Sequence, residues 1–241
     1  MESNYRNYDY LSSFARIDSY LDTNESAYEE VDNIPGRDKL TYSNGFNIQH
    51  CTALFVDIRG SSALVSKHTR PVLAKIYRSY ISEVVAILNG SIWCSEINIV
   101  GDGVCGIFGT PYTSSIDEVF ARAAMIQSVI DVLNFKLSKR KLTTIKCGIG
   151  IDYGRLLMVK AGYNGSGVND VVWMGRVVNG ASNLSHFGNR ELLDNPLMVS
   201  SLVYSNLNEH NQKLLSYNMN RGCYHGYVID TAMNEWLQAN R

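Results

Sequence analysis

The chain has no long apolar run, no basic cluster and no paired-cysteine motif, and each absence closes off a class of function. Nowhere in its 241 residues does an apolar stretch approach the ~20 needed to span a bilayer. The polar start Met1-Glu-Ser-Asn-Tyr-Arg6 does not read as a signal peptide, so a membrane is not an expected partner. Lys and Arg number 22 against 23 Asp and Glu, a formal net charge of −1. Without a basic run, nucleic acid is not an expected partner either. The five cysteines (Cys51, Cys94, Cys105, Cys147 and Cys223) are odd in number, include no C-x-x-C and lie mostly in apolar, strand-like runs. They read as reduced core residues of a cytoplasmic protein. His50, His68, His186, His210 and His225 lack metal-ligand spacing and read as structural or surface groups.

What is present is an ordinary globular composition, with 45% hydrophobic and 19% charged residues, enough to bury one core. Residues 1–45 are polar and rich in Asp, Glu, Asn and Tyr, with a helix expected near Leu11–Leu21 whose Phe14, Ile17 and Leu21 recur at helical spacing. This segment reads as an extension that docks on something, and residues 46–241 as the main domain.

Two aspartates organise that domain. In Thr52-Ala-Leu-Phe-Val-Asp-Ile-Arg-Gly-Ser-Ser62 a buried-strand pattern surfaces at Asp57, and Gly60, Ser61 and Ser62 follow as a tight turn before a helix. Small residues there let backbone amides face one point, as a phosphate requires. Asp102, between Gly101 and Gly103, joins the β-prone runs Ile97–Val100 and Val104–Phe108 at a hairpin tip. If that tip adjoins the first strand, two carboxylates converge, and divalent ions convert their repulsion into a phosphate-binding site. The plainer alternative is a turn-capping Asp57 and an ordinary Asp-Gly hairpin.

Around them the pattern alternates. Strands are expected near Cys51–Ile58, Ile92–Val100, Val104–Phe108, Ile145–Ile151 and Leu156–Ala161, and helices near Val72–Asn89 and Ile116–Leu137. Each helix has one apolar face, so both cover one side of a sheet. The order β-α-β-β-α-β is ferredoxin-like, an α+β arrangement that sets the first strand beside the central hairpin. Gly162-Tyr-Asn-Gly-Ser-Gly167 has no lysine after it and reads as a flexible hairpin loop.

Over about Cys51–Asp230 the chain resembles a class III nucleotide cyclase catalytic domain. Leu54-Phe-Val-Asp-Ile-Arg-Gly-Ser61 is similar to that family's phosphate turn with its first metal aspartate, and Gly101-Asp102 to its second. Trp173-Met-Gly-Arg-Val-Val-Asn179-Gly-Ala-Ser182 resembles its W-G-x-x-V-N-x-A-S segment. The resemblance implies that Asp57, Asp102 and the Ile58 carbonyl hold two divalent cations, Mg²⁺ or Mn²⁺. The amides of Arg59, Gly60, Ser61 and Ser62 would hold the β- and γ-phosphates of a nucleoside triphosphate. It also implies a homodimer in which Asn179 reaches the ribose in the partner's site; the alternative for Asn179 is a helix cap.

The departures are as informative. Where adenylate cyclases of the family carry a base-reading lysine and aspartate, this chain has Asn98 and Val172, and the glutamate of guanylate cyclases is missing from position 98. Where the family places an arginine after the motif asparagine, this chain has Asn183, which leaves Arg176 and Arg221 as candidate cations. Tyr28-Glu-Glu-Val-Asp-Asn-Ile-Pro-Gly-Arg-Asp-Lys-Leu-Thr41 and Asn44-Gly-Phe46 resemble the compact cyclases of the bacterial Pycsar anti-phage system. That likeness implies UTP or CTP as substrate, cyclic UMP or cyclic CMP as product, and a separate effector that responds to it. Asn98 can present its amide either way round, matching uracil or cytosine. A purine cyclase with other base contacts and a non-catalytic nucleotide-binding dimer are the remaining readings.

Overall fold

The structure, a computed structural model, describes residues 4–164, 167 and 169–241. The expected glycine loop at 162–167 falls partly outside these residues. The ferredoxin-like order appears as β2 (Gly45–Ile58), α3 (Arg70–Asn89), β3 (Cys94–Val100), β4 (Gly103–Gly109), α4 (Thr113–Ser138) and β5 (Cys147–Gly162), with a short α2 (Ser61–Lys67) between β2 and α3. Before this unit lie α1 (Tyr10–Leu21) and β1 (Tyr28–Val31). After it come β6 (Asn169–Met174), α5 (Arg176–Phe187), β7 (Leu197–Val199), α6 (Ser201–Asn206), α7 (Glu209–Lys213), β8 (Ser216–Asn218), β9 (Cys223–Gly226) and α8 (Thr231–Asn240). The sheet runs β3-β4-β2-β5-β7-β9-β8, with β1 added to β2 and β6 to β5. The strands expected at Ile145–Ile151 and Leu156–Ala161 are one continuous β5, because polar Asp152 and Tyr153 keep their ladder partners Ala53 and Thr52 on β2.

The sheet separates two apolar layers. On one face α3 and α4 cover Leu54, Val56 and Ile58 of β2 and Cys147, Ile149 and Ile151 of β5. The helix stripe Ile76, Tyr80, Val84 and Ile87 is buried there, and each aliphatic member contributes roughly 1.5–3 kcal/mol. On the other face α5 and residues 31–40 cover Cys51, Ala53, Leu156 and Met158 through Val177, Ala181 and Leu40. Two β-bulges decide which side chains reach this second face. Between Ile48 and Cys51 one extra residue enters β2 against β5. Side-chain parity therefore switches, so Phe46 and Ile48, then Cys51 and Ala53, share a face. Asp57 follows in that odd-numbered series. A second bulge between Cys94 and Glu96 does the same in β3, leaving Ile97 under the helices and Glu96 and Asn98 on the α5 side.

Helix α5 lies so close to β5 that a Cβ at Gly148 would meet the Ser185 carbonyl at 1.9 Å, and one at Gly150 the Ala181 carbonyl at 2.1 Å. The N-terminal residues divide in two. Residues 28–44 are woven into the domain through the parallel β1–β2 pairing and through buried Leu40. By contrast α1 buries no residue, and Leu11, Phe14, Ile17 and Leu21 stay exposed.

Candidate active site

The two aspartates meet. Val100 pairs with Gly103 across a two-residue turn, and Gly101 has φ 63°, the left-handed geometry that a tight hairpin needs at its first central position. Asp102 is the second. Beside it β4 pairs with β2 up to Val56–Val104, so the turn abuts Asp57. A Cβ at Gly103 would lie 3.8 Å from Asp57 Oδ1.

Burial pushes the Asp57 carboxyl above its ordinary value; the Arg59 guanidinium opposes this and the nearby Asp102 charge adds to it. Arg59 pairs with Asp57 and donates to the His186 carbonyl at 2.8 Å, tying the end of β2 to α5. Asp102 Oδ2 is buried without a hydrogen-bond partner among the described residues. Two converging carboxylates, one with an orphaned oxygen, fit a hard divalent cation of the Mg²⁺ or Mn²⁺ type. Among the described residues no group of three or more His, Cys, Asp or Glu gathers, so water or substrate phosphates would complete such a shell.

At the phosphate turn one expected donor is already taken. The Arg59 amide donates to the Lys146 carbonyl at 2.7 Å, as an extension of the β2–β5 ladder, and this corrects its assignment to a phosphate. Gly60 caps α2 at φ 67°, a conformation glycine adopts without strain. Ser61 and Ser62 are first-turn residues whose amides have no acceptor within the helix.

Asp57, Asn98 and Val172 line one cleft of about 570 Å³, walled by Phe55, Trp173, Val178 and Ser182. His186, given no role in the sequence, lines it too; its pKa is lowered by burial first, then by the Arg190 and Arg59 charges. On the opposite side of α5 a second cleft of about 550 Å³ gathers Arg155, Arg176, Asn183 and Arg221. Within one protomer the candidate arginines and the aspartates thus lie in different clefts. Asn179 is exposed, in the first turn of α5 and not at its cap, which is Gly175.

Arg221 differs from Arg176. Its Nη2 sits 2.7 Å from Asp194 Oδ2 and 2.8 Å from Glu191 Oε1, and its guanidinium lies 4.9 Å over the Phe187 ring. In this protomer that engagement braces the loop before β7. Arg155, which no motif singles out, is largely exposed and reaches Glu30 at 3.9 Å. Glu96 and Arg37 were likewise not legible as site residues. Only the bulge and the packing of residues 31–40 bring them beside Asn98.

Comparison with known proteins agrees with this geometry. The family described as "Adenylate and Guanylate cyclase catalytic domain" matches residues 45–226. A uridylate cyclase of Gulbenkiania mobilis is 37% identical over 100% of both chains. One of Treponema porcinum is 40% identical over 95% of this chain and 81% of its own. Among solved structures, a class III adenylyl cyclase-like ATP-binding protein from Pseudomonas aeruginosa superposes with a TM-score of 0.68 at 18% identity, over 87% of this chain and 46% of that longer one. No described helix is long and apolar enough to cross a membrane. The ferredoxin-like sheet, the aspartate pair at its β2–β4 edge and a family match spanning both place this chain in the adenylate and guanylate cyclase catalytic-domain family, the class III nucleotide cyclases.

Proposed function

We propose that the protein is a cytoplasmic pyrimidine nucleotide cyclase that converts UTP to 3′,5′-cyclic UMP and diphosphate, as a second messenger in bacterial anti-phage defence read by a separate effector. The observation that carries this reading is the approach of the Asp102 turn to Asp57, which shares one cleft with the uncharged pair Asn98 and Val172. The carboxylates suit a metal–triphosphate, and Asn98 and Val172 offer neither charge that reads a purine. UTP is favoured over CTP by the uridylate cyclases to which the chain is similar.

In this reading the ribose 3′-oxygen attacks the α-phosphorus, the bond to diphosphate breaks, and no protein nucleophile takes part. Divalent ions held by Asp57, Asp102 and the Ile58 carbonyl would supply charge neutralisation and a lowered 3′-hydroxyl pKa. Gly60, Ser61 and Ser62 amides bind the terminal phosphates at the start of α2. The protein acts as a homodimer: Asn179 and the Arg155–Arg176 side of α5 from one protomer face the aspartate cleft of the other, supplying cations that this cleft lacks. Arg176, with Arg155, takes the place of an arginine at position 183, while Arg221 stays with Asp194. The exposed apolar stripe of α1 packs across the same dimer.

The test is incubation of purified protein with ATP, GTP, CTP and UTP in turn with Mn²⁺, the products identified by mass. Cyclic UMP is expected. A cyclic purine would overturn the base reading and keep the fold, and no product from any triphosphate would favour a non-catalytic nucleotide-binding dimer, for which Asn183 is the sequence argument.

A further inference from the structure

The two converging aspartates are neutralised unequally. Asp102 leaves Oδ2 buried with no hydrogen-bond partner among the described residues, whereas Asp57 has a cation of its own. Arg59 stands two positions after Asp57, and its amide continues the β2–β5 ladder through the Lys146 carbonyl, so both side chains emerge on one face. Its Nη2 pairs with Asp57 Oδ2 and reaches the Asp57 carbonyl at 3.4 Å. Asp57 Oδ1 faces the Asp102 turn instead, 3.8 Å from where a Cβ on Gly103 would stand. One arginine thus divides the carboxylate, holding one oxygen and leaving the other toward Asp102.

The arginine also has a second seat. Nη1 donates at 2.8 Å to the His186 carbonyl, in the last turn of α5, where carbonyls lack partners within the helix and the helix dipole is negative. Nε is buried without a partner among the described residues, so the side chain, 14% exposed, is enclosed yet grips Asp57 through one nitrogen only. Arg221 is the contrast, since its Nε and Nη2 both bond Asp194. A guanidinium held at Asp57 by one nitrogen and at the helix end by the other can leave the first and keep the second.

We propose that Arg59 is the resident counter-cation of Asp57 and competes with divalent ions for it, withdrawing toward the end of α5 when Oδ2 is taken. The inference rests on the metal reading of the aspartates given above and adds what guards them in the nucleotide-free protein. Arg59 opposes a divalent ion twice, by occupying an oxygen the ion needs and by repelling its charge. Metal affinity is thereby held down until a triphosphate brings further oxygens to the ion.

The readout is the Mn²⁺ affinity of nucleotide-free protein, followed by titration calorimetry, with no turnover involved. Arg59→Met should bind Mn²⁺ about tenfold more tightly than wild type, the factor that corresponds to one hydrogen bond to a charged group. Arg59→Gln, which can still donate to the His186 carbonyl, should gain similarly, and it carries the test if Arg59→Met melts early. With Asp57→Ala in place neither substitution should change the affinity, because the competition is over that carboxylate. An arginine that only braced β2 against α5 would, on removal, leave the affinity unchanged or lower it. Affinity within twofold of wild type, or below it, in either folded variant overturns the inference alone, as does a gain that survives Asp57→Ala. No Mn²⁺ binding by wild type or by either variant overturns the metal reading beneath it.

Discussion

The two clefts that flank α5 are nearly equal in volume, about 570 and 550 Å³, and differ in sign. One is lined by Asp57 and Asp170 with no lysine or arginine. The other is lined by Arg155, Arg176 and Arg221 against Asp152. The division follows from helical periodicity. Val178, Ser182 and Ser185 fall on one side of α5, and Arg176, Gly180, Asn183 and Phe187 on the other. A metal–triphosphate needs carboxylates for its cations and cations for its phosphates. One protomer holds both sets, but on opposite walls of one helix, so for the proposed reaction neither cleft alone would suffice. A two-fold pairing that brought one protomer's cationic wall to the other's acidic one, as proposed above, would supply both.

The sharpest way to break this contrast is to remove the acidic side. Asp57→Ala or Asp102→Ala should lower turnover about a thousandfold or more, the equivalent of several kcal/mol of lost metal-borne charge stabilisation. Mn²⁺ should raise the melting temperature of the wild type but not of either variant, since only a bound ion stabilises the native state. Near-normal rates in either variant would refute the two-aspartate account. Next in size is complementation. Asp57→Ala mixed with Asn179→Ala should recover activity toward roughly a quarter of wild type, because random pairing makes half of the dimers mixed, each with one intact site. If the two inactive proteins stay inactive after subunit exchange, the clefts do not complete each other.

Much of the acidic cleft was legible in the sequence; of the cationic one, Arg176, Asn183 and Arg221 were singled out, but neither Arg155 nor the gathering of all four in one cleft was. Asp57 ends an apolar run and Asp102 sits between glycines, so both carry local signals; the β-α-β-β-α-β order then predicts their adjacency, which the β2–β4 pairing supplies. The site side of β2 was harder to read, because the bulge between Ile48 and Cys51 reverses parity within a run that is apolar on both faces. Glu96 was invisible for the same reason. Arg155 and Arg221 come from β5 and the turn before β9, far apart in the chain, and no local pattern says that one is exposed and the other locked. Asp194, which locks Arg221, is a loop residue whose burial only tertiary structure reveals.

The cationic wall can be dissected further. Arg176→Ala and Arg155→Ala should each cost about ten- to a hundredfold in kcat, comparable to losing one charged contact made in the transition state, with the melting temperature unchanged. Arg221→Ala should do the reverse. It strips the charged partner from Asp194, whose side chain is 4% exposed, leaving the Asn218 amide and the Glu191 N–H, and should cost about 2 kcal/mol of stability in urea unfolding. A loss of kcat with intact stability at Arg221 would return it to the catalytic set.

The smallest expected effect concerns the pH dependence of the two sides. Asp57 has its pKa raised above 3.8, by burial first, so the native state holds this proton more tightly than the unfolded chain. Acidifying metal-free protein from above the native value down toward 3.8 should therefore stabilise it through this group. Asp194 shows the opposite balance. Burial alone would raise its pKa, but Arg221 and Asn218 hold it below 3.8. Its contribution is complete above 3.8 and is lost as pH falls through the lowered native value. Urea unfolding in chelator across mildly to strongly acidic pH separates the two: Asp57→Asn should remove the gain on acidification and leave the loss at lower pH, and Asp194→Asn should do the converse. If both variants changed the same limb of the profile, the carboxylates would not be held by the opposing environments that distinguish the clefts.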